Sequence, residues 1–175
     1  MHPVGGNDPM AFCAELTVRE RAERRLPAGY VYSLPTEAQF EYACRTGTTG
    51  QTYAGEIVME GRKAAVVDRI AWYEGNSTEG YAGKGFRVGT GTGGPHAVGL
   101  KEANAWGLYD MTGNIWQWCR DWYGPLPGGT VVDWKGPATG SDKVNRGGSF
   151  GSGAGDERSA ARAQNPPAEA SAYRG

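Results

Sequence analysis

Twenty-nine of the 175 residues are glycine, and they recur without a three-residue period. A collagen-like triple helix needs glycine at every third position, so that architecture is excluded. Glycine at this density also weakens long helices and strands, because its backbone loses the most freedom on ordering. Six Trp, nine Tyr and four Phe oppose disorder, since disordered chains are poor in aromatic residues. A chain of this length fits one domain and buries roughly 70% of its unfolded surface. The expected product is a packed domain of turns and loops around aromatic side chains.

Charge and cysteine content narrow the classes further. The net charge is −1, from 18 basic and 19 acidic residues, which gives no electrostatic reason to expect nucleic acid as a partner. Arg19 to Arg25 is the nearest approach to a basic run, and Glu20 and Glu23 interrupt it. No apolar stretch approaches the ~20 residues of a membrane span. No charged-then-apolar leader opens the chain, so the expected location is cytoplasmic, or surface-displayed through another segment. Cys13, Cys44 and Cys119 are odd in number, widely spaced and without a CxxC pair. They suit neither a disulfide framework nor a zinc site and read as buried thiols.

Local signals divide the chain. Residues 7–25 predict a helix with Asp8 as N-cap, Pro9 in its first turn, and Phe12, Cys13 and Leu16 on one face. Tyr30 to Ser33 predicts a short strand. Thr36 and Gln39 form a capping box ahead of Phe40, Tyr42, Ala43 and Cys44. Residues 46–104 read as loop. Within them Gly89, Gly91 and Gly94 spell GxGxxG, but Pro95-His96 follows where a phosphate-binding helix should start, so a flexible loop is expected. Asn76-Ser77-Thr78 is a glycosylation sequon. Trp106, Tyr109, Trp116, Trp118 and Trp122 cannot share one helical stripe and read as core, with Trp116 and Trp118 alternating on a strand. Residues 124–140 are Pro/Gly loop, and 144–150 predict a strand. The small-sided tail carries Arg158, Arg162 and Arg174. His96, in its Gly-Pro loop, reads as structural rather than as a base.

Five segments in order resemble the formylglycine-generating enzymes, or sulfatase-modifying factors: LPTEAQFEYACR (34–45), ANAWGLYDM (103–111), GNIWQW (113–118), RGGSF (146–150) and RSAAR (158–162). The resemblance implies an α+β, C-type-lectin-like fold with little regular secondary structure, as a single domain over 1–175. Against the family pattern the chain is short before residues 2–4 and lacks a Phe-Arg pair beyond Gly175. The family's oxidases carry two copper-binding cysteines near the RSAAR segment. Here those positions are Ser159 and, approximately, Ala154. A hydroxyl and a methyl are not ligands for copper(I), so copper and oxidase chemistry are not expected. The family also holds calcium near the turn before the WxW strand. Carried over, its ligands are the Asp110 side chain, the Gly113 and Ile115 carbonyls, and Gln117 where Glu is usual. A second family calcium site finds Ile70 in place of an Asn.

Three readings of function follow. The first is a non-catalytic ligand- or protein-binding module, one form of which is the variable proteins diversified by retroelements that the resembled family includes. Its expected surface positions are Phe150, Gly151, Ser152, Gly153, Asp156, Glu157, Ala163, Gln164, Ala168, Glu169 and Tyr173. Arg146, Arg158 and Arg162 are expected to pin the scaffold beneath them. Mutated Asn codons yield Gly, Ala, Ser, Asp and Tyr, but not Glu157, Gln164 or Glu169. The second reading is an enzyme of the sulfatase-modifying type, and the third a structural domain of a larger assembly.

Overall fold

The computed structural model describes residues 6–89, 91–169, 171 and 173. Residues 2–4, Arg174 and Gly175, named above, lie outside the described residues. Three helices and five strands run in the order α1 (Asp8–Ala22), α2 (Glu37–Arg45), α3 (Ala65–Ile70), β1 (Phe86–Val88), β2 (Gly91–Gly93), β3 (Gln117–Trp122), β4 (Lys143–Arg146) and β5 (Arg162–Asn165), with a 3₁₀ turn at Ala154–Glu157 before β5. The α+β, loop-rich character read from the sequence is what the chain adopts.

The capping box forms as the sequence specifies. Thr36 Oγ1 accepts from the Gln39 amide at 3.1 Å and Gln39 Oε1 accepts from the Thr36 amide at 2.9 Å. A second cap comes from β3, where Asp121 Oδ2 accepts from the Glu37 amide at 2.9 Å. A carboxylate at a helix N-terminus satisfies an orphan donor and opposes the helix dipole. α2 turns Phe40 and Cys44 into a core with Met111, Cys119 and Val144. α3 contributes Val67 and Ile70 to an adjoining core with Ala64, Ala71, Tyr73 and Ala154.

Around these cores three segments depart from the sequence reading. α1 is capped by Asn7 without a side-chain bond, and Asp8 stands inside its first turn. Only Thr17 and Glu20 of α1 are buried, while Phe12 is 61% exposed. The Phe12 face therefore does not pack as its spacing suggested. Tyr30 to Ser33 has no regular secondary structure and joins no ladder. It lies along α1, with the Tyr32 amide donating to Thr17 Oγ1 at 2.9 Å and Arg21 donating to the Tyr30 carbonyl at 3.0 Å. Residues 46–104 contain α3 and a hairpin rather than loop alone. α3 begins at Ala64 without a side-chain cap, so no start signal marks it. The GxGxxG glycines fall in the hairpin, where β1 and β2 pair antiparallel (Phe86 with Gly93, Val88 with Gly91), and no helix follows to hold a phosphate.

β3, β4 and β5 form one antiparallel sheet in that spatial order, with an irregularity in β3 between Trp118 and Trp122. Trp118 is buried, but Trp106 is 51% exposed and meets Tyr42 edge-on at 5.1 Å, a departure from the expected Trp core. β4 stops at Arg146, short of the 144–150 expected, where Gly147 and Gly148 turn the chain at positive φ. Arg146 is fully buried at that corner. It donates to the carbonyls of Ser159 (2.9 Å) and Ala161, and pairs with Glu41. Arg162, opposite it on β5, grips both carboxylate oxygens of Glu37 at 2.5 and 2.7 Å and the Gly124 carbonyl at 3.1 Å. Arginine's fixed fork suits this bidentate work. The Asn76 sequon is structural: its buried side chain accepts from the Tyr73 amide at 3.0 Å and donates to the Ala71 carbonyl at 3.0 Å, leaving no exposed amide for a glycan. No described helix is long and apolar enough to cross a membrane.

Candidate functional site

The turn between residues 109 and 117 gathers all four expected metal-site residues. Asp110, Gly113, Ile115 and Gln117 line one cavity of about 420 Å³, together with Tyr109, Asn114 and the Val98-Gly99 edge. The turn is over-determined. Gly113 has φ +73°, and a Cβ there would meet the Trp72 carbonyl oxygen at 2.6 Å, so only glycine fits. Asn114, also at positive φ, clamps the His96 backbone by accepting its amide (3.0 Å) and donating to its carbonyl (3.2 Å). His96 itself stacks flat on Trp72 at 3.7 Å and contacts the Ser77 carbonyl through Nε2 at 2.9 Å, a packing role.

The polar groups of this turn are largely satisfied within the protein. Asp110 Oδ2 accepts from the Gly99 amide at 2.7 Å. The Gly113 carbonyl accepts from the Ile115 amide at 2.8 Å. Gln117 Nε2 donates to the Asp110 carbonyl at 2.8 Å. A carboxylate in place of that amide could not donate, and would face a carbonyl with nothing between them but a cation. The set offers one carboxylate, the Gln117 amide oxygen and carbonyls. That is hard-oxygen chemistry suited to calcium, at low charge and hence low affinity. The second family site stays unfilled in chemistry: Ile70 is fully buried in apolar core.

The tail divides into surface and core, and the expected exposed set needs correction. Gly151, Asp156, Gln164, Ala168 and Glu169 are exposed, and Gly153, Ala163 and Tyr173 are half-buried. Phe150, Ser152 and Glu157 are buried. Phe150 stacks on Tyr173 at 4.6 Å, with Phe86 of β1 completing the aromatic cluster. Ser152 Oγ accepts from the Ser149 amide at 3.1 Å, and its carbonyl accepts from the Glu74 amide at 2.9 Å. Gly151 is exposed yet constrained, since a Cβ there would stand 2.7 Å from the Tyr173 ring. Glu157 is fully enclosed, with both carboxylate oxygens unpaired and lying over Gly148. Burial, reinforced by the nearby Asp156 charge, pushes its acidity well above the ordinary carboxylate range. Of the three arginines, Arg146 and Arg162 pin the scaffold as expected. Arg158 is exposed and donates to the nearby Gly155 carbonyl at 2.6 Å.

Ala154 and Ser159, the positions matched to the family's copper cysteines, are both buried. Ala154 packs in the α3 core. Ser159 Oγ lies 3.5 Å from Cys44 Sγ, a juxtaposition across 115 residues that the linear sequence hides. Cys44 and Cys119 are enclosed, and burial pushes both thiols up, away from the thiolate form. Cys13 stands apart on α1 at intermediate exposure. One enclosed thiol beside a hydroxyl does not provide the soft ligand pair copper(I) needs. Among the described residues no group of three or more His, Cys, Asp or Glu could hold a metal ion. The sequence reading also passed over Arg120, Trp134 and Lys135, which line a cleft beside α2. Nothing in a Pro/Gly loop marks Trp134 as a pocket wall.

With this geometry in place, comparison with known proteins gives consistent matches. The chain is 35% identical over 121 residues to a formylglycine-generating enzyme of Streptomyces coelicolor, covering 67% of this chain and 35% of that one. It is 31% identical over 175 residues to that of Bos taurus, covering 95% of this chain and 40% of that one. The chain thus spans well under half the length of these curated relatives. Among solved structures, Treponema denticola variable protein 1 superposes with a TM-score of 0.77 at 25% identity, over 100% of this chain and 68% of that one. The sulfatase-modifying factor enzyme 1-like domain model matches residues 1–175. A lectin-like scaffold pinned by buried arginines, the five ordered segments and the match across the whole chain together establish that it belongs to the sulfatase-modifying factor family.

Proposed function

We propose that this domain is a non-catalytic binding module, with the exposed part of the 151–173 surface as its recognition face for a protein or small-molecule ligand. The observation that carries the reading is the burial of Ala154 and Ser159, neither of which has a sulfur, combined with the enclosure of Cys44 and Cys119. Similarity to a variable protein supports a face whose residues are free to change, in the manner of retroelement-diversified proteins. The face is shallow, its changeable positions Gly153, Asp156, Ala163, Gln164, Ala168 and Glu169 lying beside the constrained Gly151, with Tyr173, stacked on Phe150, as its aromatic anchor. Energetic hot spots favour Tyr, Trp and Arg, so binding through this variant is weak and centred on Tyr173. The relatives named formylglycine-generating enzymes favour the alternative, an oxidase. Incubation with copper(I), oxygen and a Cys-containing sulfatase-type peptide separates the two. The binding reading expects the peptide mass unchanged. Conversion of its Cys to formylglycine above a no-enzyme control sinks it.

Structural calcium belongs to the same proposal. The Asp110 carboxylate, the Gly113 and Ile115 carbonyls and the Gln117 amide oxygen are the groups that would hold it, and the single charge implies millimolar affinity. Bound calcium would brace the turn that supports the WxW strand. At ten times its dissociation constant a ligand adds about 1.4 kcal/mol of stability. Melting in about ten millimolar calcium against chelator is therefore expected to differ by a few degrees, and Gln117→Glu to enlarge the difference. Identical melting curves for both proteins remove calcium from the account.

A further inference from the structure

α2 and the 124–136 loop enclose two adjoining cavities, of about 520 and 410 Å³, that share Ala38, Tyr42 and Trp134 as a common wall. None of the 150–173 positions lines either one. The loop that closes them is fixed at both ends. Arg162 holds the Gly124 carbonyl with two donors at 3.1 Å. Gly136, at φ +76°, sits so close to β3 that a Cβ would meet the Trp122 carbonyl oxygen and Asp121 Cβ at 2.9 Å. Asp133 adopts φ +50°, a left-handed conformation that Asp tolerates better than most residues with a side chain, and the next residue, Trp134, is the wall the two cavities share with α2.

The two cavities differ in what they leave unsatisfied. In the smaller one, Glu37 is held by Arg162, and Glu41 by Arg45 at 2.8 Å and by Arg146. Its free lining is Leu126, Pro127, Val131 and the Trp134 and Tyr42 rings. In the larger one Arg120 and Lys135 are exposed, and neither side chain makes a salt bridge or hydrogen bond with a described residue. Asp133 is the one acid lining it, so cations are in excess. We propose that this bipartite cleft binds an extended acidic peptide: a bulky apolar side chain fills the smaller cavity against Trp134, and an adjacent carboxylate pairs with Arg120 and Lys135. An apolar pocket beside unpaired cations recognises that combination and rejects basic peptides by like-charge repulsion. An accessible aromatic wall of Tyr42 and half-buried Trp134 flanked by Arg is also the composition from which energetic hot spots are built.

The test follows the Trp134 indole N–H by NMR while the whole chain is titrated with N-acetyl-Leu-Asp-Asp-amide. N-acetyl-Leu-Lys-Lys-amide and N-acetyl-Gly-Asp-Asp-amide serve as charge and apolar controls. A saturable Trp134 shift is expected, with the acidic leucine peptide binding at least about ten-fold tighter than either control. Arg120→Glu with Lys135→Glu should reverse the preference toward the Lys-Lys peptide, and Leu126→Ser should reduce the leucine peptide to the level of the glycine one. All three positions are exposed, so melting temperatures should hold. If the double variant is unstable, Lys135→Glu alone is expected to weaken the acidic peptide several-fold. Equal affinity for acidic and basic peptides, an unmoved Trp134 signal, or acidic binding unchanged by the charge reversals overturns the proposal.

Discussion

The two halves of the chain after residue 143 are neighbours in sequence and opposites in construction. The β4–β5 corner is held by two arginines whose donors reach Glu37, Glu41 and three carbonyls. The segment from Gly151 to Glu169 carries small or singly charged side chains, nine of its nineteen residues exposed, five half-buried and five buried. Between them lies Glu157, buried like a scaffold residue but unpaired. The contrast teaches that the arginine corner and the buried residues of the segment fix its path, while its exposed positions contribute little to holding it in place. A binding face that must tolerate change needs that division.

The comparison breaks first at Arg146. Arg146→Met removes one partner of a buried ion network and leaves Glu41 and two carbonyls short of donors. Such losses cost about 3–5 kcal/mol, or ~10 °C of melting temperature for a domain this size, measurable by urea unfolding. Arg146→Lys is expected to recover little, because one ammonium cannot span the same acceptors. A loss under about 1 kcal/mol would mean the corner is not what fixes the tail.

Glu157 sharpens the comparison by pH. Its folded acidity constant is raised by burial first and the Asp156 charge second. The sign follows from proton linkage: the native state holds this proton more tightly than the unfolded chain does. Its contribution is therefore fully present below the ordinary value of 4.5 and declines as pH rises toward the folded value. Glu157→Gln cannot ionise. Relative to the parent it is expected to be about 1–3 kcal/mol more stable at pH 8, with the two proteins converging near pH 4. Parallel stability curves across that range would show that Glu157 is charged and compensated in the fold.

The smallest effect is expected on the surface itself. Asp156→Tyr, Gln164→Tyr and Ala168→Asp made together should move the melting temperature by only a few degrees, since exposed substitutions fall within about ±0.5 kcal/mol each. Unfolding of this triple variant would show that the small residues are packing, not display.

Much of the fold was legible because its signals are local. The Thr36–Gln39 capping box, the turn before the WxW strand and the Arg146 and Arg162 anchors follow from residue chemistry at short spacing. α3 was invisible because Ala64 gives no cap and six residues give too little period. β5 was hidden by a tail whose small side chains lack a strand's alternation, and its pairing is set by β4 rather than by its own residues. Phe12 misled because helical spacing shows which residues share a face, not whether anything covers it. The four turn residues could be gathered from the motif, whereas the Cys44–Ser159 contact and the Trp134 wall join segments far apart in the chain. Glu157 was placed on the surface with the rest of the variable segment that the family resemblance implies, and only the three-dimensional path of Gly148 over its carboxylate encloses it.

The unequal placement of the three thiols gives this domain an internal clock. Cys13 is reachable from solvent, whereas Cys44 and Cys119 are sealed on opposite elements of one core. A thiol reagent therefore reads the folded molecule at α1 and reads α2 and β3 only when the core parts. The delay between the first modification and the other two measures how often the scaffold opens. If Cys44 and Cys119 are modified in step, α2 and the sheet part as one cooperative unit. If Cys44 leads, the helix detaches before the strands separate.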